Sequence, residues 1–351
     1  MSNIRTLFPG AMGPDGFISC FDHLIPRHQL RRRLILKGGP GVGKSTFMRR
    51  LHTELCTDGE PSVLCFCSGD PDSLDAVVLP DSGLLILDGT APHSIDPEIP
   101  GARDSLINLG VCLDEAAMRS LTPLIQTCMR DHAAASRRAR AYMKAASILE
   151  QDCAAIISDC LDRNRCSQMT SVLIQAVLCA DAPREIAGVS PVITDAVTPK
   201  GKICLLSEDV YSRVIRLTGH PCMDLTPVLR RVSEAVCAAG WHVQEHLNPA
   251  IPGTLAHLSI PALSTLITTG GHIPAEQTYD FAACIPSASL LRSECALDQG
   301  QSCAEQMMQR AVSAMAQAKP IHDELETFYV PNMNFGAWQR IFDQTLADLK
   351  G

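Results

Sequence analysis

The sequence predicts an α/β protein in which one fold, a parallel sheet flanked by helices, occurs twice. Three observations support this class. Short apolar runs alternate with a helical pattern in the first 110 residues. A shift of 181 residues aligns residues 32–89 with 213–270, with 14 of 58 positions identical, where chance gives about four. The length of 351 residues fits two domains better than one.

The repeat and the composition together divide the chain into four segments. They are an α/β domain over residues 1–110, a helical insert over 111–182, a second α/β copy over 183–290 and C-terminal helices over 291–351. Residues 103–182 carry no strand signal, and residues 181–200 form a proline-containing connection. The last segment predicts helices over 301–319 and 334–350, separated by Pro320 and Pro331.

A glycine-rich loop near the N-terminus carries the strongest functional signal. Gly38 to Ser45 match the phosphate-binding pattern G-x-x-x-x-G-K-[ST], between an apolar run and a helix expected over residues 44–56. Glycines let backbone N–H groups turn toward phosphate oxygens, lysine reaches the β- and γ-phosphates, and the serine hydroxyl can ligate Mg²⁺. The predicted nucleotide-binding residues are Gly38, Gly39, Pro40, Gly41, Val42, Gly43, Lys44, Ser45 and Thr46.

An apolar strand over residues 84–87 ends in Asp88, which is expected to hold Mg²⁺ together with Ser45. The next residue is Gly89 and not the glutamate that activates water in many ATP-hydrolysing proteins of this type. Hydrolysis by that route is therefore not supported. ATP is the preferred cofactor over GTP because the guanine-reading motif N-K-x-D is missing from the sequence.

Two further residues are candidates for the chemistry at the phosphates. Asp70 follows a second apolar strand over residues 62–67, in a loop that also contains Asp72 and Asp75. It could act as a base or hold a metal-bound water, although a turn or helix cap in this loop is the equal alternative. His93 could contact phosphate or act as a base, or it is an ordinary loop histidine. The candidate catalytic residues are Lys44, Asp70, Asp88 and His93.

The segments GGPGVGKST, SGDPDSLD and LDGTAPH, in this order and spacing, resemble a poorly characterised bacterial family of tandem P-loop proteins. Its members are described as ATPases or as similar to nucleotide kinases, and the resemblance extends over most of the chain. It implies the P-loop NTPase fold and ATP binding, but no particular substrate.

The second copy retains apolar positions and loses the nucleotide chemistry. Gly43, Lys44 and Ser45 align with Asp224, Leu225 and Thr226, and Asp88 aligns with Thr269. A degenerate domain without a nucleotide of its own is expected, with a role in packing, in self-association or in covering the first site. The segment HVQEH over residues 242–246 fits an inverted zinc-protease motif. It falls in a predicted strand, which separates its two histidines by roughly 13 Å, too far for one zinc ion.

Composition and charge argue against several other classes of function. The net charge of −8 makes nucleic acid an unlikely partner. The chain has no apolar run long enough for a membrane span and no signal peptide, and its 16 cysteines include no C-x-x-C pair, so we expect a cytoplasmic protein.

Arginines over residues 130–140 could serve as lid residues, with a solvated helix face as the favoured alternative. The leading hypothesis is an ATPase that drives a conformational change. A small-molecule or nucleotide kinase and a non-catalytic sensor are the alternatives.

Overall fold

The first half of the chain forms a six-stranded sheet with a hairpin beside it. The computed structural model describes residues 4–56, 59–91, 93–178 and 187–351. The strands of the sheet are ordered β1-β5-β6-β7-β4-β8, and β2 pairs with β3. Their bounds are β1 Ile4–Leu7, β2 Gly10–Gly13, β3 Gly16–Ser19, β4 Arg32–Lys37, β5 Ser62–Phe66, β6 Leu74–Leu79, β7 Leu84–Asp88 and β8 Asp104–Asn108.

The second half repeats this arrangement. Its sheet is ordered β9-β13-β14-β15-β12-β16, with the same strand directions, and β10 pairs with β11. This agreement fits the predicted duplication of an α/β fold. The bounds are β9 Gly188–Val192, β10 Asp195–Thr198, β11 Gly201–Cys204, β12 Arg213–Thr218, β13 His242–Leu247, β14 Leu255–Ile260, β15 Thr265–Thr268 and β16 Gln277–Asp280.

Both sheets are mixed, so the prediction of a parallel sheet is wrong at one strand of each. β6 runs antiparallel to β5 and to β7, and β14 has the same orientation in the second sheet. The physical reason is the length of the connections: only residues 67–73 join β5 to β6. A parallel crossover needs about a dozen residues or more, so the chain must turn straight back.

The strands that the sequence prediction missed are two edge strands and one strand of the second hairpin. β8 lies in the range 103–182 that carried no strand signal, and β9 and β10 lie in the supposed connection 181–200. Residues 181–186 of that connection fall outside the described part of the chain. β8 is an edge strand of alternating exposure, and β9 is also an edge strand and contains a proline. Short, partly polar edge strands give weak sequence signals.

The helices of the two halves also correspond. α1 begins at the predicted lysine and lies between β4 and β5, as α5 lies between β12 and β13. In each half, a short helix, a very long helix and a medium-length helix follow the sheet. The bounds are α1 Lys44–Leu55, α2 Glu115–Ser120, α3 Thr122–Asp159, α4 Arg163–Val177, α5 Thr226–Ala238, α6 Ser287–Leu290, α7 Glu294–Tyr329 and α8 Phe335–Lys350.

The long helices α3 and α7 pack against each other. The helix that follows each of them, α4 after α3 and α8 after α7, packs on the opposite half of the chain. α4 packs on α5 of the second half, whereas α8 packs on α1 of the first. Equivalent hydrogen bonds hold both exchanged helices: the Asp162 N–H donates to the Cys284 carbonyl and the Asn334 N–H to the Cys112 carbonyl, each at 2.8 Å. Each sheet is therefore completed by a helix from the other half.

Pro320 does not separate two helices, contrary to the sequence prediction. It lies inside α7, which continues to Tyr329. Proline removes a backbone donor and disfavours a helix interior. Buried residues on both sides of it, Met315 and Leu325, keep α7 packed over this stretch, which offsets the local cost. The predicted break between residues 319 and 334 occurs only around Pro331.

Within the described residues, no helix combines the length and the apolar character that crossing a membrane requires.

Candidate functional site

The loop over residues 38–43 has the backbone conformation that its glycines predict. Gly38, Gly41 and Gly43 have φ angles of 149°, 69° and 83°, which residues other than glycine rarely adopt. A Cβ atom on Gly38 would lie 2.7 Å from the Cγ2 atom of Val42. Val42 itself is buried and anchors the loop to the core beneath α1. The loop thus joins β4 to the N-terminus of α1, where backbone N–H groups attract anions.

Lys44 is the first residue of α1, and its ammonium group lies over the loop. Nζ donates hydrogen bonds to the carbonyls of Gly38 and Gly39, both at 2.9 Å. The same atom is 3.6 Å from Oδ2 of Asp88. The predicted lysine and the predicted carboxylate are therefore neighbours.

Asp88 reaches this position through strand register. β7 pairs with β4 in parallel, and Asp88 lies opposite Leu36, just before the loop begins. The side chain is buried, and its Oδ1 accepts hydrogen bonds from the backbone N–H and the hydroxyl of Thr90. These bonds orient the carboxylate and leave Oδ2 toward Lys44.

Asp75 joins this site, although the sequence placed it in a loop. It is the second residue of β6 and is buried. Ligand atoms of Asp75, Asp88 and His93 all lie within 4.8 Å of one another. Burial raises the pKa of Asp75 to about 7, and Asp88 adds to that shift, whereas a hydrogen bond from Cys67 opposes it. One feature of the sequence does point to Asp75: it is replaced by Ala256 in the second copy, which also lacks the predicted phosphate-binding lysine.

His93 lies in a loop and is partly buried, with both ring nitrogens shielded from solvent. Its ring stacks on Phe21 with centroids 4.7 Å apart. Neither ring nitrogen has a hydrogen-bond partner in the described part of the chain. Burial lowers the pKa of His93, while Asp88 acts in the opposite direction. The imidazole is therefore neutral near pH 7 and can accept a proton or a metal.

Asp70 lies at the edge of the site and outside the cluster of three ligands. Its carboxylate accepts a hydrogen bond from the Ser73 hydroxyl at 2.9 Å and lies 3.5 Å from Nζ of Lys319 on α7. Its carbonyl also accepts the N–H of Ser73. The turn role that the sequence left open thus occurs, together with an ion pair to the long helix. The neighbouring Asp72 is exposed and pairs with Lys200.

Ser45 has a structural contact in addition to its predicted role. Its hydroxyl oxygen accepts the Leu74 N–H at 2.9 Å, which ties α1 to the start of β6. In the second copy, the Thr226 hydroxyl accepts the Leu255 N–H at the same distance. Because this contact is common to both copies, it belongs to the fold. Thr46, the last residue of the predicted loop set, is exposed on α1.

Residues from α7, from α8 and from the short turn between them, which no sequence pattern linked to the loop, cover it. A Cβ atom on Gly39 would lie 2.5 Å from the Tyr329 ring, and one on Gly41 would lie 2.9 Å from Val330. A Cβ atom on Gly43 would lie 3.2 Å from Nε1 of Trp338. This Nε1 is buried and lacks a hydrogen-bond partner among the described residues.

Comparison of the chain with protein-family models, with curated proteins and with solved structures finds no match. The family resemblance and the nucleotide chemistry inferred from the sequence therefore stay predictions.

Proposed function

We propose that the chain is an ATPase that binds ATP and Mg²⁺ at residues 38–46 and uses hydrolysis to rearrange α7 and α8. The observation that supports this most is the loop itself. Three glycines with positive φ lie between a buried strand and a helix N-terminus. A lysine ammonium lies 3.6 Å from a buried aspartate at the same point. This arrangement is suited to a polyphosphate with its cation.

The side chains around Asp88 fit a magnesium ion. Asp75 and Asp88 offer carboxylate oxygens within 4.8 Å of each other, and Ser45 offers a hydroxyl on the adjacent helix. Oxygen donors are the ligands that Mg²⁺ prefers. A bound Mg²⁺ would neutralise charge on the phosphates during transfer of the γ-phosphoryl group. Lys44 would bind the phosphates, and its ammonium group would give up its hydrogen bonds to the Gly38 and Gly39 carbonyls to do so.

His93 is the best candidate for the base that activates water. A glutamate after Asp88 is excluded by packing, because a Cβ atom on Gly89 would lie 2.4 Å from Cγ2 of Ile35. His93 is neutral and close to Asp88, and its buried ring nitrogens have no hydrogen-bond partner among the described residues. Asp70 is the second candidate, although its hydrogen bond from Ser73 and its ion pair to Lys319 restrain it.

Contacts between the loop and the exchanged helices favour a conformational role over phosphoryl transfer. Tyr329 and Trp338 lie against loop glycines and belong to helices that follow the second sheet. Closing of the loop around phosphates would therefore be transmitted to both halves through α7 and α3. Arg137 and Arg138, on the predicted lid segment of α3, are exposed to solvent.

Calorimetric titration with ATP and with GTP in the presence of Mg²⁺, combined with phosphate release, tests the proposal. We expect ATP to bind more tightly than GTP and phosphate to be released without an added acceptor. Binding without release would instead identify a nucleotide sensor. Phosphoryl transfer only to an added hydroxyl or nucleotide acceptor would identify a kinase. A titration that detects no nucleotide binding would overturn the whole assignment.

A matched pair of substitutions separates the metal role of Ser45 from its structural one. Ser45→Ala and Thr226→Val each leave an equivalent backbone N–H without its partner, so each should lower the free energy of unfolding by about 1–3 kcal/mol. Only Ser45→Ala should weaken Mg²⁺-dependent ATP binding. Urea unfolding and calorimetry measure the two effects. Equal losses of ATP affinity in both variants would argue against a metal ligand at Ser45.

Trp338 should report nucleotide binding directly. Its indole is buried beside Gly43, whereas Trp241, the other tryptophan, belongs to the core of the second half. In a Trp241→Phe variant, we expect ATP with Mg²⁺ to change the intensity or the wavelength of the remaining emission. The same titration of Trp338→Phe should give no comparable signal. Unchanged emission during saturating ATP binding would contradict movement of α8 against the loop.

A further inference from the structure

A group of metal-ligating side chains occurs in the second half, away from the loop. Asp195 on β10, Cys204 on β11 and His257 on β14 have ligand atoms within 4.8 Å of one another. A fourth donor adjoins them, since Nε2 of His272 lies 3.1 Å from Sγ of Cys204. We propose that Asp195, Cys204, His257 and His272 bind a zinc ion. The inference does not depend on nucleotide binding.

Surrounding contacts orient these donors in the way that bound histidines require. His257 Nε2 lies 2.8 Å from Oδ2 of Asp195, while its Nδ1 lies 2.9 Å from the Thr268 hydroxyl. The Thr194 hydroxyl donates to the same aspartate oxygen at 2.9 Å. Hydrogen bonds on the far ring nitrogen and on the carboxylate fix both ligands, as second-sphere partners do in zinc proteins.

Comparison of the two copies indicates that the fold itself does not need polar residues here. The hairpin pairs Asp195 with Cys204, and the corresponding pair in the first copy is Gly10 with Ser19. His257 and Thr268 align with Ala76 and Leu87, which pack in an apolar cluster of the first sheet. Burying a histidine and an aspartate has a cost that apolar residues avoid. A ligand that uses them explains why they are present.

The donor set selects zinc over magnesium or calcium. One thiol, two imidazoles and one carboxylate match the nitrogen and sulfur preference of Zn²⁺, whereas Mg²⁺ and Ca²⁺ take oxygen ligands. The motif HVQEH has no part in this site, because its strand β13 holds His242 against Ser190 and His246 against Thr194 and Ser259.

The site opens onto a large cavity. Asp195 and Cys204 lie on the wall of a space of about 810 Å³, which also borders the Asp224–Leu225 loop, α3 and α7. The cavity occupies the position in the second copy that corresponds to the predicted nucleotide site of the first. His257 is 3% exposed at its side chain and Asp195 is 31% exposed, so the site is buried on one side and accessible on the other.

Metal binding can be tested with zinc alone. After treatment with a chelator, the full chain should bind one zinc per molecule, measured by elemental analysis and by competition with a chromogenic chelator. Cobalt substitution should give the thiolate-to-metal charge-transfer band of a cysteine ligand. Cys204→Ser should lose that band, and His272→Ala should weaken zinc binding by at least on the order of 10- to 100-fold, the loss typical of second-sphere changes.

Cys222→Ser is the matched control, because Cys222 lines the same cavity outside the donor group. It should bind zinc and cobalt as the unchanged chain does. His272 is exposed, so His272→Ala keeps the test valid if Cys204→Ser fails to fold. Sub-stoichiometric zinc in the unchanged chain, or a cobalt band that survives Cys204→Ser, would overturn the site. Equal losses in Cys222→Ser and His272→Ala would overturn it as well.

Discussion

Replacing Lys44 by alanine should reduce ATP turnover by about 10²–10³-fold, the effect of removing one preorganised group that stabilises transition-state charge. The ammonium group lies 2.9 Å from two loop carbonyls and 3.6 Å from Asp88, at the point where the loop would surround phosphates. Without it, the charge developing on the γ-phosphoryl group loses a cation that ordered water replaces poorly. Phosphate release at saturating ATP measures the change in turnover, and calorimetry measures the change in affinity.

Lys350→Ala is the appropriate control for the loss of one positive charge. Lys350 also contacts α1, through Glu54 near its C-terminal end, but it is exposed and distant in sequence from the loop. Turnover by this variant should match that of the unchanged chain. If a folded Lys44→Ala protein released phosphate at the full rate, the catalytic site would have to lie elsewhere.

The parts of this site that local sequence determines were predictable. The loop needs glycine at positions of positive φ, and α1 begins at Lys44 as the pattern indicates. Asp88 ends a four-residue apolar run, and a buried strand at that position brings it to the loop. In each case the physical cause lies within a few residues, either in backbone conformation or in the burial of a short segment.

Contacts between distant segments could not be predicted in the same way. Tyr329 and Trp338 reach the loop only because the helices after each sheet are exchanged between halves, which depends on packing over the whole length of α3 and α7. Asp75 was assigned to a loop because its neighbours Asp70 and Asp72 look like a turn. Instead, Asp75 lies within β6, which begins at Leu74 and continues through the apolar residues after Asp75, and the short preceding loop fixes the antiparallel direction of the strand.

The second copy shows another limit of prediction from sequence, namely that repeat alignment does not show which distant residues the fold brings together. Alignment of the repeats reveals what it has lost at the loop, but the residues it has gained come from three separate segments. Asp195 and Cys204 belong to the hairpin and His257 to the sheet, and the two parts follow different repeat offsets. Only the packing of the hairpin on the sheet brings these side chains together.

Replacing Asp104 by asparagine should lower the free energy of unfolding by about 3–5 kcal/mol, the cost of breaking a buried ion pair by removing one partner. Asp104 is at the start of β8, 1% exposed, and it accepts a hydrogen bond from Arg33 at 2.6 Å. It also accepts bonds from Arg103 and from the backbone N–H groups of Glu98 and Ile99. Asparagine removes the buried countercharge of Arg33, whose other ion-pair partner, Glu98, is more exposed and lies 3.9 Å away. It also places an amide N–H group where the Asp104 carboxylate accepts hydrogen bonds from N–H donors.

The pH dependence of this effect has a definite sign. Burial alone would raise the pKa of Asp104, but hydrogen bonds from Arg103, Arg33 and the backbone bring it well below its usual value. A carboxylate with a depressed folded-state pKa stabilises the fold above its unfolded pKa of about 3.9 and loses that contribution as the pH falls below it. The difference between Asp104→Asn and the unchanged chain in urea unfolding should therefore be full at pH 7 and shrink in acid. Asp15→Asn, which removes an exposed partner of Lys144, should leave the unfolding midpoint unchanged. If both variants unfolded at the same urea concentration, the pair between β4 and β8 would not be a stabilising contact of the first sheet.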